Sequence, residues 1–239
     1  QRLLESAEAV QASPLLSAQV ASDAGDPGVA LNWLLREPVS GSARVEALGL
    51  LARVLKQSPD CIALVPDEVV EALVGATTVG ARVARMLLPE SARLGSAAKI
   101  AMASALEYAQ EYDAALNLLR DVAAPSSPSD AVDYHVAKAR IALRLRDPQL
   151  GSSSLAAARE TLRHCGRNRS RHLLSKYLLV RAQLQCATGS WAPAVRLLAA
   201  ADQAARKSKM ATVRALALNN LGIVLQQVGD LERAQVAFA

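Results

Sequence analysis

Four short stretches of this 239-residue chain carry side chains able to do chemistry. Residues 75–82, "GATTVGAR", have the glycine spacing of a loop that cradles phosphates. Such a loop needs a Lys and then a Ser or Thr at its end, to meet the phosphate charge and a magnesium ion. Ala81 and Arg82 stand at those two places, so a turn between helices is the better reading. His164, Cys165 and His172 fall within nine positions, with Cys186 further on. Zinc takes about four converging ligands, usually in closely spaced pairs. Adjacent residues at a helix end diverge, so His164 and Cys165 do not make such a pair. A Cys–His nucleophile pair lacks a third group to orient it. Residues 151–155, "GSSSL", read as the polar start of a helix. Glu107 and Glu111, one turn apart, read as a solvated helix face. The chain is therefore expected to be no enzyme, with no catalytic residue, no metal site and no cofactor.

Charge gives a stronger signal. Residues 1–133 hold 10 Lys/Arg against 17 Asp/Glu, and residues 134–239 hold 17 against 5, so the halves balance at −7 and +12. Much of the excess sits in "RHCGRNRSRHLLSK", residues 163–176, which contributes Arg163, Arg167, Arg169 and Arg171. Arg206, Lys207 and Lys209 repeat the theme. A basic edge attracts acidic protein surfaces, anionic lipid or nucleic acid. Single-stranded nucleic acid is gripped by stacking on aromatics, and only Tyr177 and Trp191 lie nearby, both expected to pack. An acidic protein partner is favoured over nucleic acid.

The elements that would carry these groups are helices. The apolar half of the chain is mostly Ala, Leu and Val, with one Phe, two Trp and four Tyr. Ala and Leu are strong helix formers, and alternating β-branched runs are lacking. Period and breakers predict helices near 2–11, 13–23, 27–36, 42–57, 66–75, 78–88, 94–109 and 112–121. Others are expected near 130–146, 153–164, 171–187, 191–207, 210–228 and 231–239. No run reaches the length of a membrane span. Three widely spaced cysteines, Cys61, Cys165 and Cys186, suggest reduced thiols and a cytoplasmic setting.

An internal repeat organises these helices. Leu218, Leu221-Gly222 and Leu225 share one helical face, followed by Gly229, Ala234 and Phe238. Matching spacings place Leu178, Ala182, Gly189, Ala194 and Leu198 one unit earlier. Ala103, Leu106, Ala115 and Leu119 form another copy; Ala139, Ala142, Gly151 and Leu155 a weaker one; Ala18, Gly25, Ala30 and Trp33-Leu34 the first. A small residue at the eighth position, Gly near the fifteenth, Ala at the twentieth and a large apolar residue at the twenty-fourth resemble the tetratricopeptide repeat (TPR). The period exceeds the family's ~34 residues and the usual Pro is missing. That departure resembles the longer-helix variants in bacterial regulators of the MalT-like kind.

The resemblance implies an all-α, right-handed α-solenoid of antiparallel helix pairs. Residues 1–91 would be degenerate TPR-like repeats, and 92–239 clearer ones with the last truncated. It implies a concave groove lined by the first helix of each pair, holding Arg140, Arg144, Lys176 and Gln183. Asn219, Asn220, Gln226 and Gln227 would follow from the last repeat. Asn and Gln donate and accept at once, which suits gripping a peptide backbone. The expected work is non-catalytic protein or peptide binding, as a scaffold module of a larger regulatory or assembly protein. Ligand sensing in a bacterial transcriptional regulator is the alternative, and nucleic-acid binding the weaker one. Gln1 at the start and the break after Phe238 suggest a piece of a longer protein, with an apolar end that could stick to another copy.

Overall fold

A computed structural model of the chain describes residues 14–36 and 49–239, apart from 52, 56, 59–60, 62–64, 66, 75–77, 123–124, 126 and 166. The helix expected over 2–11 lies outside the described residues. Among the described residues every regular element is a helix and none is a strand, so the fold is all-α. None of these helices is long and apolar enough to cross a membrane. The chain divides into two compact units, residues 1–110 and 111–239.

In the first unit, α1 (Pro14–Asp23) and α2 (Pro27–Arg36) pack as a pair. Buried Ala18 and Ala30 allow their close approach. Helical residues between 49 and 57 bury Leu50, Leu51, Val54 and Leu55. Next come α3 (Asp67–Val74) and α4 (Thr78–Leu87), then a 3-10 turn over Leu88–Arg93. α5 (Ser96–Tyr108) packs on both α3 and α4, burying Met102, Ala103 and Leu106.

The second unit holds α6 (Tyr112–Arg120), α7 (Pro128–Arg144), α8 (Pro148–His164), α9 (Arg167–Ala187), α10 (Trp191–Lys207), α11 (Ala211–Gln227) and α12 (Leu231–Phe238). Each packs on the next, and α7 also meets α9, as α9 meets α11. The core follows this order. Leu173, Tyr177 and Leu184 of α9 join Val132 and Val136 of α7 and Leu155 of α8. Leu179 and Ala182, on another face of α9, join Leu198 of α10 and Val213 of α11. Leu225 of α11 then meets Ala234 and Ala237 of α12. Each fully buried Leu or Val contributes about 1.5–3 kcal/mol over an exposed one. Where the final helix meets α11, the Phe238 ring occupies the place a Cβ at Gly222 would need.

One turn joins these helices again and again. After α7 the Arg146 N–H donates to the Leu143 carbonyl (3.2 Å) and the Asp147 N–H to the Ala142 carbonyl (2.9 Å). This is the Schellman arrangement, which needs a residue with positive φ just past the helix end. Arg146 has φ 60°. The same pair of bonds closes α9 at Gly189 (φ 73°), α10 at Lys209 (φ 58°) and α11 at Gly229 (φ 83°). Three residues therefore separate α7 from α8, α9 from α10, α10 from α11 and α11 from α12.

The expected helix over 153–164 begins five residues earlier, at Pro148. Asp147 caps it by accepting the Leu150 N–H at 2.9 Å, and Pro148 fits the first helical position. Gly151 is therefore not the turn glycine. It is buried inside α8, where the Leu143 side chain lies 3.3 Å from the place of a Cβ. The turn itself falls to Arg146. Similarly, Ser127 accepts the Asp130 N–H at 3.1 Å and starts α7 at Pro128 rather than near 130.

Candidate binding pocket

Because α7 meets α9 and α9 meets α11, their C-terminal turns come together and enclose a pocket of about 450 Å³, open to solvent. From α7 come Arg140, Leu143 and Arg144, at the spacing that puts successive turns on one face. The end of α9 supplies Gln183, Cys186 and Ala187. From α11 come Asn220, Ile223, Val224 and Gln227. α10 enters from beneath, with Leu198 in the core and Trp191 in the first turn after the Gly189 bend.

Arg140 and Arg144 bring two guanidinium groups to the lining. Among the described residues, the side chains of Arg144, Gln183, Asn220 and Gln227 make no hydrogen bond or ion pair. The rest of the lining is apolar, with Ile223 45 % and Trp191 37 % exposed. Cys186 is a free thiol on this wall. Burial pushes its pKa up, against a smaller backbone hydrogen-bond effect, so it stays protonated and poorly nucleophilic near neutral pH.

Of the eight expected groove residues, the fold gathers Arg140, Arg144, Gln183, Asn220 and Gln227 here. Asn219 and Gln226 are exposed on α11 but do not line the pocket. Lys176 is engaged elsewhere: its Nζ donates to Asp133 Oδ1 at 2.7 Å, tying α9 to α7. The apolar half of the site was not singled out by sequence. Trp191, expected to be a packing residue, is its clearest member. Its place two residues after a turn glycine was the available signal.

On the expected basic edge, Arg163 is exposed and pairs with Glu160 within α8. Arg171 is exposed in the second turn of α9, Arg206 and Lys207 in the last turn of α10, and Lys209 in the turn that follows it. The side chains of Arg167 and Arg169 lie outside the described ones.

The remaining chemical candidates separate. His164 is exposed, 3.8 Å from Glu160, and the Cys165 thiol donates to the Thr161 carbonyl at 3.5 Å. Cys186 faces the pocket instead. Among the described residues no three His, Cys, Asp or Glu side chains are placed to hold a metal ion. Residues 75–77 of "GATTVGAR" lie outside the described residues, and 78–82 begin α4. Ser153 and Ser154 sit inside α8, Ser153 donating to the Leu150 carbonyl. No protein-family model matches the chain, and no curated protein is similar to it in sequence.

Proposed function

We propose that this chain is a non-catalytic scaffold module that binds another protein through an extended peptide segment. On this reading it is a right-handed α-solenoid of antiparallel, TPR-like helix pairs within a larger cytoplasmic regulatory or assembly protein. The observation that carries the proposal is the pocket: three uncommitted amide side chains and an uncommitted guanidinium line one apolar hollow. Amides that both donate and accept match the alternating groups of an extended backbone. A solvated helix face would not require the apolar floor beneath them.

Selection of displayed random peptides on the full chain, followed by titration of the enriched ones, tests it. Asn220→Ala is the variant of choice, because Ala favours the helix more than Asn does and folding is not put at risk. Loss of about 1 kcal/mol of binding, roughly fivefold, is expected for one hydrogen-bonding side chain. Unchanged affinity in both Asn220→Ala and Gln227→Ala would remove the pocket from the interface.

A second reading rests on the pocket's size. About 450 Å³ is within the range of small-molecule sites, which supports a ligand-sensing domain of a bacterial transcriptional regulator. Nucleic-acid binding through Arg171, Arg206, Lys207 and Lys209 is the weaker alternative. It requires affinity that falls steeply with salt, and a flat salt response would remove it.

A further inference from the structure

Building on the peptide-binding reading, we propose that the pocket takes an aromatic side chain of the partner, carried on an extended segment and laid against Trp191 and Arg144. Three helix ends bring the relevant groups together. Trp191 opens α10, and its N–H donates to the Gly189 carbonyl at 3.1 Å, so the turn fixes where the indole starts. Trp191 stays 37 % exposed on the pocket wall. It therefore has surface left for a second ring, and aromatic pairs gain affinity beyond the area they bury. Arg144 comes from the last turn of α7, where a cation suits the helix dipole. That role leaves its guanidinium exposed on the lining, with no hydrogen bond or ion pair among the described residues. A guanidinium plane in that condition stacks readily on a ring, whose negative face complements its charge. Arg140, one turn earlier, already has a partner in the fold and is not required. Cys186, in the last turn of α9, adds a soft, polarisable sulfur to the same wall.

Other anchors use only part of this lining. An aliphatic side chain would draw on Leu143, Leu198, Ile223 and Val224 and gain nothing from the Arg144 charge. A lone carboxylate would use the charge and leave the apolar floor and the indole idle. A ring uses both, with its flat apolar body on the floor and its π face toward the guanidinium. The hollow of about 450 Å³ has room for such a side chain and the backbone that carries it. Gln183, Asn220 and Gln227, whose amides make no hydrogen bond among the described residues, are then left to grip that backbone. Beyond the pocket, Leu216 of α11 is 48 % exposed, two turns from Ile223. Seven helical residues span ~10 Å, the length of about three residues of extended chain. An aliphatic residue is therefore expected about three positions from the aromatic one.

The test uses random 12-residue peptides displayed on phage and selected against the full chain. Enriched sequences are expected to share a Phe, Tyr or Trp with Leu, Ile, Val or Met about three positions away. In a synthetic representative, the aromatic residue is replaced by cyclohexylalanine, which keeps the apolar bulk and removes the π-system. That change should weaken binding about fivefold, the scale of one cation–π contact and one aromatic pair together. Arg144→Gln should cut the preference for the aromatic peptide to about twofold, and the cyclohexyl peptide should bind this variant as it binds the wild type. That last equality also shows that the variant is folded. Bound peptide should slow alkylation of Cys186, read by mass spectrometry, and leave Cys61 and Cys165 unaffected. Enriched peptides that protect Cys186 but carry no aromatic residue would overturn the proposal and leave the peptide-binding reading standing. Equal binding of the aromatic and cyclohexyl peptides, or a preference that Arg144→Gln leaves unchanged, would overturn it too. If no peptide is enriched or none protects Cys186, both readings fall.

Discussion

In the second unit, four turns of one geometry differ at the position that must adopt positive φ: Gly189 and Gly229 in two, Arg146 and Lys209 in the others. A side chain costs about 1–2 kcal/mol in the left-handed region. Glycine returns about 0.5–1 kcal/mol of that through the freedom it adds to the unfolded chain. Neither Arg146 nor Lys209 offsets its cost, since both are exposed and neither side chain has a partner among the described residues. Arg146→Gly and Lys209→Gly should therefore each stabilise the protein by about 0.5–1 kcal/mol. The sites are far apart in sequence and share no partner, so the double variant should approach the sum. In the opposite direction, nothing lies within 4 Å of a Cβ built at Gly189 or Gly229. Gly189→Ala should thus cost about 1 kcal/mol through backbone strain alone. Urea unfolding followed by far-UV circular dichroism reads these changes. With a slope of about 2 kcal/mol per molar, Arg146→Gly moves the midpoint up by about 0.25–0.5 M and leaves the slope unchanged. Midpoints that stay fixed or fall in both glycine variants would refute the reasoning.

Asp147→Ala removes the cap of α8 and should cost about 1 kcal/mol in thermal or urea unfolding, with Asp147→Ser recovering most of it. The Lys176–Asp133 pair is about a third exposed, so a double-mutant cycle should give a coupling of only about 0.5–1 kcal/mol that shrinks as salt is added; a coupling unaffected by salt would contradict this. His172 has its pKa lowered by burial first and Lys176 second, with Asp133 opposing, and His135 is lowered by burial and then Lys138. For a depressed histidine the unfolded chain takes the proton first. Stability is complete above the unfolded pKa of about 6.5 and is lost as pH falls through it toward the folded value. His135→Gln and His172→Gln should each flatten the loss of stability between pH 7 and 5, and an unchanged slope in the double variant would count against both assignments.

Most helices of the second unit were legible because their apolar residues recur at helical spacing and their ends carry strong punctuation. Gly189 and Gly229 announce turns in the sequence, and α10 and α12 begin where such punctuation places them. Arg146 and Lys209 occupy the same left-handed position without the residue type that advertises it. Gly151 matches those glycines in repeat spacing yet lies inside α8, which begins five residues before its expected start. The polar rim of the pocket followed from mapping amides and arginines onto first helices. Its apolar floor did not, because Trp191 and Leu198 belong to the intervening helix and resemble ordinary core residues. Lys176 shows the converse limit: helical position alone does not tell that a lysine is already held by an aspartate 43 residues earlier.

Among the described residues of the second unit, substantial packing runs between helices at most two places apart in the chain. Such local topology favours rapid assembly, because little chain entropy must be lost before contacts form. A nascent chain could therefore build α7 on α8, and α9 on both, before the remainder leaves the ribosome. The pocket does not share that early start. It draws on α7, α9, α10 and α11, so it exists only after the stretch from Pro128 to Gln227 has been synthesised and docked. Binding competence would then be acquired in one late step, and a ribosome-stalled series of lengthening chains would show secondary structure well before any affinity.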